Sequence, residues 1–214
     1  MKSDITLVLI ADTHGYHSDL SVPSGDILIH AGDLSQRGHL REVEDFNAFL
    51  AGLDHEHKIV IAGNHDFCFQ EQPREARARL TNATYLEDQM TEVEGLKIYG
   101  SPWQPWFYDW AFNLQRGPEI AAKWALIPRD TDILITHGPP HGIGDRTYDG
   151  RFTGCEDLLQ RIEDIEPRLH VFGHIHEAAG VWTRGRTTYV NASSNEGEDG
   201  PVVMRWSELI QGSS

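Results

Sequence analysis

The sequence predicts an α/β fold, and three observations carry that expectation. Short apolar runs rich in Ile, Val and Leu recur along the chain, bounded by Gly, Asp or Asn. Runs of that length and bounding favour strands over helices. Between several of them lie segments whose apolar residues keep helical spacing, as expected where strands are covered on both faces by helices. Finally, 214 residues with 39% hydrophobic and 24% charged side chains suit one folded domain, here residues 1–214, with a sizeable core.

Taken in order, "ITLVLI" and "DILIH" read as the first two strands. A helix follows over Arg41 to Leu53, where Val43, Phe46, Phe49, Leu50 and Leu53 recur on one face. "KIVIAG" is the third strand, and "PREARARLT" is a helix opened by Pro73, a residue suited to a first helical position. "LKIYG" and "DILITHG" are strands flanking the helix "PEIAAKWAL", and "GCEDLLQRIEDI" is a helix before the strand "LHVFG". "TTYVNA" and "PVVMRW" close the chain as strands without long helices, so the sheet is expected to become mixed or to split in two. No internal repeat or low-complexity tract interrupts the pattern.

One stretch breaks the rhythm. "GSPWQPWFYDWAFNLQRG" gathers Trp103, Trp106, Phe107, Tyr108, Trp110 and Phe112 around two prolines. Such a segment is either a packed loop plugging the core or the wall of a pocket that stacks a base or aromatic group.

Composition narrows the function. With 18 basic against 33 acidic residues the formal charge is -15, which argues against an extended nucleic acid lying across the surface. An anionic substrate would need local positive charge, and bound metal supplies it. The apolar run Ile5 to Ile10 is too short for a signal h-region or a membrane span, so a soluble cytoplasmic protein is expected, without membrane partners. Cys68 and Cys155, with no C-x-x-C, argue against a disulfide framework or thiolate zinc and read as small buried residues. "HEH" at His55 to His57 sits in a polar stretch and reads as surface.

The strand ends are more specific. Asp12 and His14 come after the first strand, Asp33 after the second, and Asn64, His65 and Asp66 after the third; His137 comes after "DILIT", and His174 and His176 after "LHVF". Functional crevices of open α/β sheets lie at the carboxyl ends of strands, so these tips can converge. Carboxylates, an amide oxygen and several imidazoles suit Mn, Fe, Zn, Co or Ni better than Ca or Mg. Two such ions need a bridging carboxylate, for which Asp33 is the natural candidate, and they activate a water while clamping a phosphoryl group for in-line displacement.

The ordered set Asp12-x-His14, Gly32-Asp33, Gly63-Asn64-His65, His137 and Gly173-His174-x-His176 resembles the calcineurin-like metallophosphoesterase superfamily. Within it, "IYGSPWQPWFYDWAFNLQRG", "TDILITHGPPHG" and "LHVFGHIHEAAGVWTRGRTTYVNASS" are similar to the branch of brain-enriched metallophosphoesterase-domain proteins and their bacterial relatives. The resemblance runs from about Ile5 to Trp206. It implies a four-layer α/β/β/α sandwich of two mixed sheets with a dinuclear centre at the strand ends. It also implies one metal on Asp12, His14 and His176, the other on Asn64, His137 and His174, with Asp33 shared and Mn the first choice in assay. His65 would face the scissile phosphate as a charge stabiliser or general acid.

The resemblance further implies a phosphodiesterase of small diesters, with cyclic nucleotides first. Phosphomonoesterase activity and a metal-stabilised regulatory or binding role are the alternatives. In "GDLSQRG", Gln36 stands where protein phosphatases of the superfamily carry the Asp that orients the catalytic His, which counts against phosphoprotein substrates. Arg37, His141, Trp103 and Trp106 are candidate substrate contacts. His17, His30, His39 and His170 are expected to be structural.

Overall fold

A computed structural model describes residues 4–211 of the protein. Its strands are β1 (Thr6–Ile10), β2 (Ile27–Ala31), β3 (His57–Ile61), β4 (Thr84–Tyr85), β5 (Gln89–Val93), β6 (Leu96–Ser101) and β7 (Gln104–Pro105). They continue with β8 (Asn113–Leu114), β9 (Ile133–Thr136), β10 (Leu169–Phe172), β11 (Gly180–Arg184), β12 (Thr187–Asn191) and β13 (Val202–Arg205). The helices are α1 (Leu40–Ala51), α2 (Phe67–Glu71), α3 (Pro73–Arg79), α4 (Pro118–Trp124), α5 (Glu156–Ile165) and α6 (Trp206–Gln211).

Two large mixed sheets result. One has the order β13-β1-β2-β3-β4 and the other β11-β12-β10-β9-β6-β5, with β7 and β8 forming a small separate pair. In each large sheet the inner strands run parallel, while β13, β5 and β11 join antiparallel at edges. The period-two alternation of strand side chains sorts the core into three layers. Leu7, Leu9, Ile27, Ile29, Ile59 and Ile61 face Ile98, Ile133, Ile135, Leu169, Val171 and Val190 between the sheets. Val8, Ile10, Leu28 and Val60 point the other way, onto Val43, Phe46 and Leu50 of α1 and Ala76 of α3. On the far side Tyr99, Leu134, Phe172 and Tyr189 meet Ile120 and Trp124 of α4 and Leu158, Ile162 and Ile165 of α5. This is the four-layer α/β/β/α order that the family resemblance implies, and it leaves the carboxyl ends of β1, β2, β3, β9 and β10 free to carry chemistry.

Several details differ from the sequence reading. Trp206 opens α6 instead of finishing the last strand, and α2, β4, β5, β7, β8 and β11 were not anticipated. His55, expected at the surface, is buried; Gly25 packs close beside its ring and leaves it covered. Cys68 and Cys155 are buried and free, as expected. Among the described residues no helix is long and apolar enough to cross a membrane.

Candidate metal centre

Strands β1, β2, β3, β9 and β10 each end in an abrupt turn that carries polar side chains. Asp12, His14, Asp33 and His174 all take positive φ, at 53°, 44°, 56° and 71°. That conformation costs a non-glycine residue about 1–3 kcal/mol, and it persists where surrounding contacts over-determine the turn. Here they do. The Asp12 N–H donates to the Gly32 carbonyl (3.0 Å), His14 N–H to that of Asp33 (2.9 Å), and His174 N–H to Asp12 Oδ2 (2.9 Å). Gly63 shows how close the loops lie: an added Cβ would sit 2.3 Å from Asp33 Oδ1 and 2.6 Å from the His137 ring.

Asp33 is the centre of the cluster. Its Oδ2 lies 3.7 Å from His14 Nε2 and 3.3 Å from His137 Nε2, while its Oδ1 accepts the His65 backbone N–H at 2.8 Å. On one side His14 Nε2 faces His176 Nε2 at 3.4 Å, with Asp12 Oδ1 3.9 Å from the latter. On the other, His137 Nε2 lies 2.9 Å from Asn64 Oδ1, and the His137 and His174 rings are 5.1 Å apart. Ligand atoms of Asp12, His14 and His176 fall within 4.8 Å of one another, as do those of Asp12, Asp33 and His137. Asp12, His14, Asp33, Asn64 and His137 are buried; His65, His174 and His176 are half-buried.

These donors fit divalent ions. His137 Nδ1–H donates to the Ala31 carbonyl (3.0 Å), which turns the Nε2 lone pair toward Asn64 Oδ1 and Asp33 Oδ2, two further acceptors. Acceptors facing one another at such distances need a cation or a proton between them. Asp12 Oδ1 is buried without a hydrogen-bond partner among the described residues. Burial alone would raise the Asp33 carboxyl, but the His137 and His14 imidazoles outweigh it and hold Asp33 well below the usual carboxylate range. Burial would likewise lower His137, yet the Asp33 carboxylate pushes it up to about 9. Burial depresses His14, partly offset by Asp33. A proton held by His137 beside Asp33 is one that a metal bound there would displace.

Residues behind the cluster brace it. Buried Asp66 accepts from Gly63 N (2.8 Å), Ser35 N (3.0 Å), Leu34 N (3.3 Å) and Ser35 Oγ (2.5 Å), tying the loop after β2 to that after β3. Burial, and then the Asp33 charge, push its carboxyl up to about 6. His30 accepts from Gly32 N at Nδ1 and meets Thr13 Oγ1 through Nε2 at 3.0 Å. His170 Nε2 meets Thr136 Oγ1 at 2.8 Å, and that hydroxyl donates to the Gly138 carbonyl beside His137. Burial takes both imidazoles down to about 3, so they serve as neutral braces. His17 lies buried against Phe46 and Phe49, and His39 stands exposed before α1.

The proposed substrate contacts are placed differently. A cavity of about 320 Å³ opens over His14, Asp33, Asn64, His65, His174 and His176, and its wall is completed by Phe107, Tyr148, Glu177 and Glu196. Trp103 is turned into the core, its Nε1 donating to Asp88 Oδ2 (2.9 Å) and its ring 4.3 Å from the Lys123 ammonium. Trp106 is 53% exposed on the outer surface. The aromatic segment reaches the site through other members: Phe107 edges onto His174 at 5.6 Å, and Trp110 lies 4.2 Å from the His65 ring. Arg37 is exposed on the turn before α1, with its backbone N–H donating to Glu42. His141 Nδ1 stands 3.7 Å from buried Asp145 Oδ2 on the loop before α5. The sequence reading missed Glu177 and Glu196; only the position of Glu177, next to His176, hinted at its place.

A family model described as calcineurin-like phosphoesterase matches residues 5–178. Metallophosphoesterase domain-containing protein 1 of Homo sapiens is 46% identical over 211 residues, covering 87% of this chain and 65% of that protein. The chain thus spans just under two thirds of that relative's length. A UPF0046 protein of Caenorhabditis elegans is 42% identical over 214 residues, covering 90% of this chain and 76% of its own. Among solved structures, TT1561 of Thermus thermophilus superposes with a TM-score of 0.61 at 14% identity, over 94% of this chain and 99% of that one, a likeness of fold.

Proposed function

This chain belongs to the calcineurin-like phosphoesterase family, and on that premise we propose that it is a dinuclear metal-dependent phosphodiesterase acting on small diesters. The observation that carries the reading is the convergence of carboxylate, amide and imidazole donors around Asp33, with Asp12 Oδ1 buried beside them without a hydrogen-bond partner among the described residues. Asp12, His14 and His176 would hold one ion, Asn64, His137 and His174 the other, with Asp33 between. When bound, the ions supply Lewis acidity, neutralise phosphoryl charge and lower the pKa of water.

The chain's own groups do the rest. His65, half-buried at the cavity, is our candidate to protonate the leaving oxygen: its Nδ1–H is committed to the Gln36 carbonyl at 2.8 Å, and in the imidazolium form the second proton, on Nε2, would pass to that oxygen. Glu177 and Glu196 on the cavity wall favour a diester: a phosphomonoester dianion brings a second negative charge toward two carboxylates, and a diester monoanion does not. Phe107 offers an aromatic face for the ester substituent, consistent with a nucleotide base. Cyclic nucleotides come first among substrates on the family resemblance, and Mn²⁺ is the metal to assay first.

The test compares bis(p-nitrophenyl) phosphate with p-nitrophenyl phosphate on Mn²⁺-loaded protein. Diester turnover exceeding monoester turnover, abolished by chelator and by Asn64→Ala, is the expected result. Metal-independent turnover, or a faster monoester, overturns the reading.

A further inference from the structure

Within the aromatic stretch at 106–112, Trp110 has no role in the chemistry so far, yet it abuts the residue proposed to donate the proton. The His65 ring sits between the His14 imidazole, edge-on at 4.4 Å and 78°, and the Trp110 indole at 4.2 Å and 31°. Its only side-chain hydrogen bond among the described residues runs from Nδ1 to the Gln36 carbonyl. Gln36 occupies the place where an orienting carboxylate would be read from the sequence, and here its main chain takes the imidazole proton instead. Gly38 makes that approach possible, because an added Cβ there would lie 2.4 Å from Phe67 N and 2.8 Å from the His65 carbonyl.

A single hydrogen bond anchors Nδ1 but leaves the ring plane free to swing about that anchor. The face of Trp110 removes that freedom. The indole is itself braced: Phe67 lies against it at 6.0 Å, Phe107 stacks at 6.3 Å and 15°, and the Ala111 N–H donates to the Asn64 carbonyl at 3.1 Å. The segment carrying Trp110 is therefore pinned to the loop that carries His65. Resting on the reading of His65 as the proton donor, we propose that Trp110 is a positioning residue: its indole face and the Gln36 carbonyl together aim His65 Nε2 at the leaving oxygen.

The role has a signature that ordinary structural support lacks. p-Nitrophenolate departs without a proton, whereas phenolate or an alkoxide needs one in the transition state. Trp110→Leu keeps most of the bulk but not the flat face; Trp110→Phe keeps the face. On Mn²⁺-loaded protein, Trp110→Leu is expected to lower kcat about tenfold or more for diphenyl phosphate and less than about threefold for bis(p-nitrophenyl) phosphate, with Trp110→Phe restoring most of the loss. Nitrogen NMR of ¹⁵N-histidine-labelled, metal-free protein gives a second readout. His65 should show one Nδ1–H tautomer in wild type and Trp110→Phe, and averaged ring signals in Trp110→Leu. Equal losses on both diesters, a change confined to KM, or unaltered His65 signals would overturn the assignment. Wild-type protein inactive on every diester would instead overturn the functional reading on which it rests.

Discussion

Protonation of His170 should be a principal cause of acid lability in this protein. The ring is wholly buried within β10, between Phe172 (4.9 Å) and Tyr189 (5.8 Å). One nitrogen meets Thr136 Oγ1, while Nδ1 is buried without a partner among the described residues. A second proton would therefore create an unpaired buried N–H and a buried charge at once, which is why burial takes this imidazole down to about 3. A group whose folded pKa is depressed contributes stability above its unfolded pKa and loses it as pH falls. With an unfolded value of about 6.5, the loss begins near pH 6.5 and continues toward pH 3. Linkage then gives roughly 2 kcal/mol lost between pH 7 and pH 5 through this side chain alone. The perturbation is His170→Gln, whose amide can still reach Thr136 but cannot titrate. Urea denaturation of metal-free protein at both pH values is the assay. The variant is expected to start about 1 kcal/mol less stable at pH 7 and to fall about 2 kcal/mol less than wild type on moving to pH 5. Parallel losses in the two proteins would refute the argument, since His30 and the other histidines titrate in both.

Three further outcomes follow from the site. Wild type loaded with Mn²⁺ should carry two ions per chain by elemental analysis, whereas His174→Ala and His176→Ala should each retain one. Asp33→Asn, which weakens the group proposed to serve both ions, should retain neither at moderate metal concentration. The double substitution Glu177→Gln, Glu196→Gln should raise the monoester-to-diester rate ratio about fivefold, taking roughly 1 kcal/mol for a unit charge interaction in water-like surroundings; an unchanged ratio removes these carboxylates from the selectivity argument.

Much of the fold was legible because strand alternation is a local signal: Leu7 and Leu9 against Val8 and Ile10 already divide into two faces before any partner is known. The strand-end residues were legible for a related reason, since each comes directly after an apolar run. The aromatic segment was not. Trp103 and Trp106 look equivalent to Trp110 in a one-dimensional string, and only the Trp103 bond to Asp88 and the Ala111 bond to Asn64 decide which ring turns inward and which reaches His65. His55 was misread because its neighbours in sequence are polar, while the groups that cover it come from elsewhere in the chain. Glu177 and Glu196 belong to loops whose approach to the cavity is set by tertiary packing, with no periodicity to announce them.

The proposed ligands do not all belong to one sheet. Asp12, His14, Asp33 and Asn64 extend from β1, β2 and β3, whereas His137, His174 and His176 extend from β9 and β10 across the sandwich. Each ion would thus be held from both sides of the inter-sheet core, like a rivet through two plates. On that reading neither half would assemble the site alone, and metal capture would report on docking of the two sheets. Chelation, in turn, would loosen the sandwich along this one seam and leave the packing of helices on either outer face untouched.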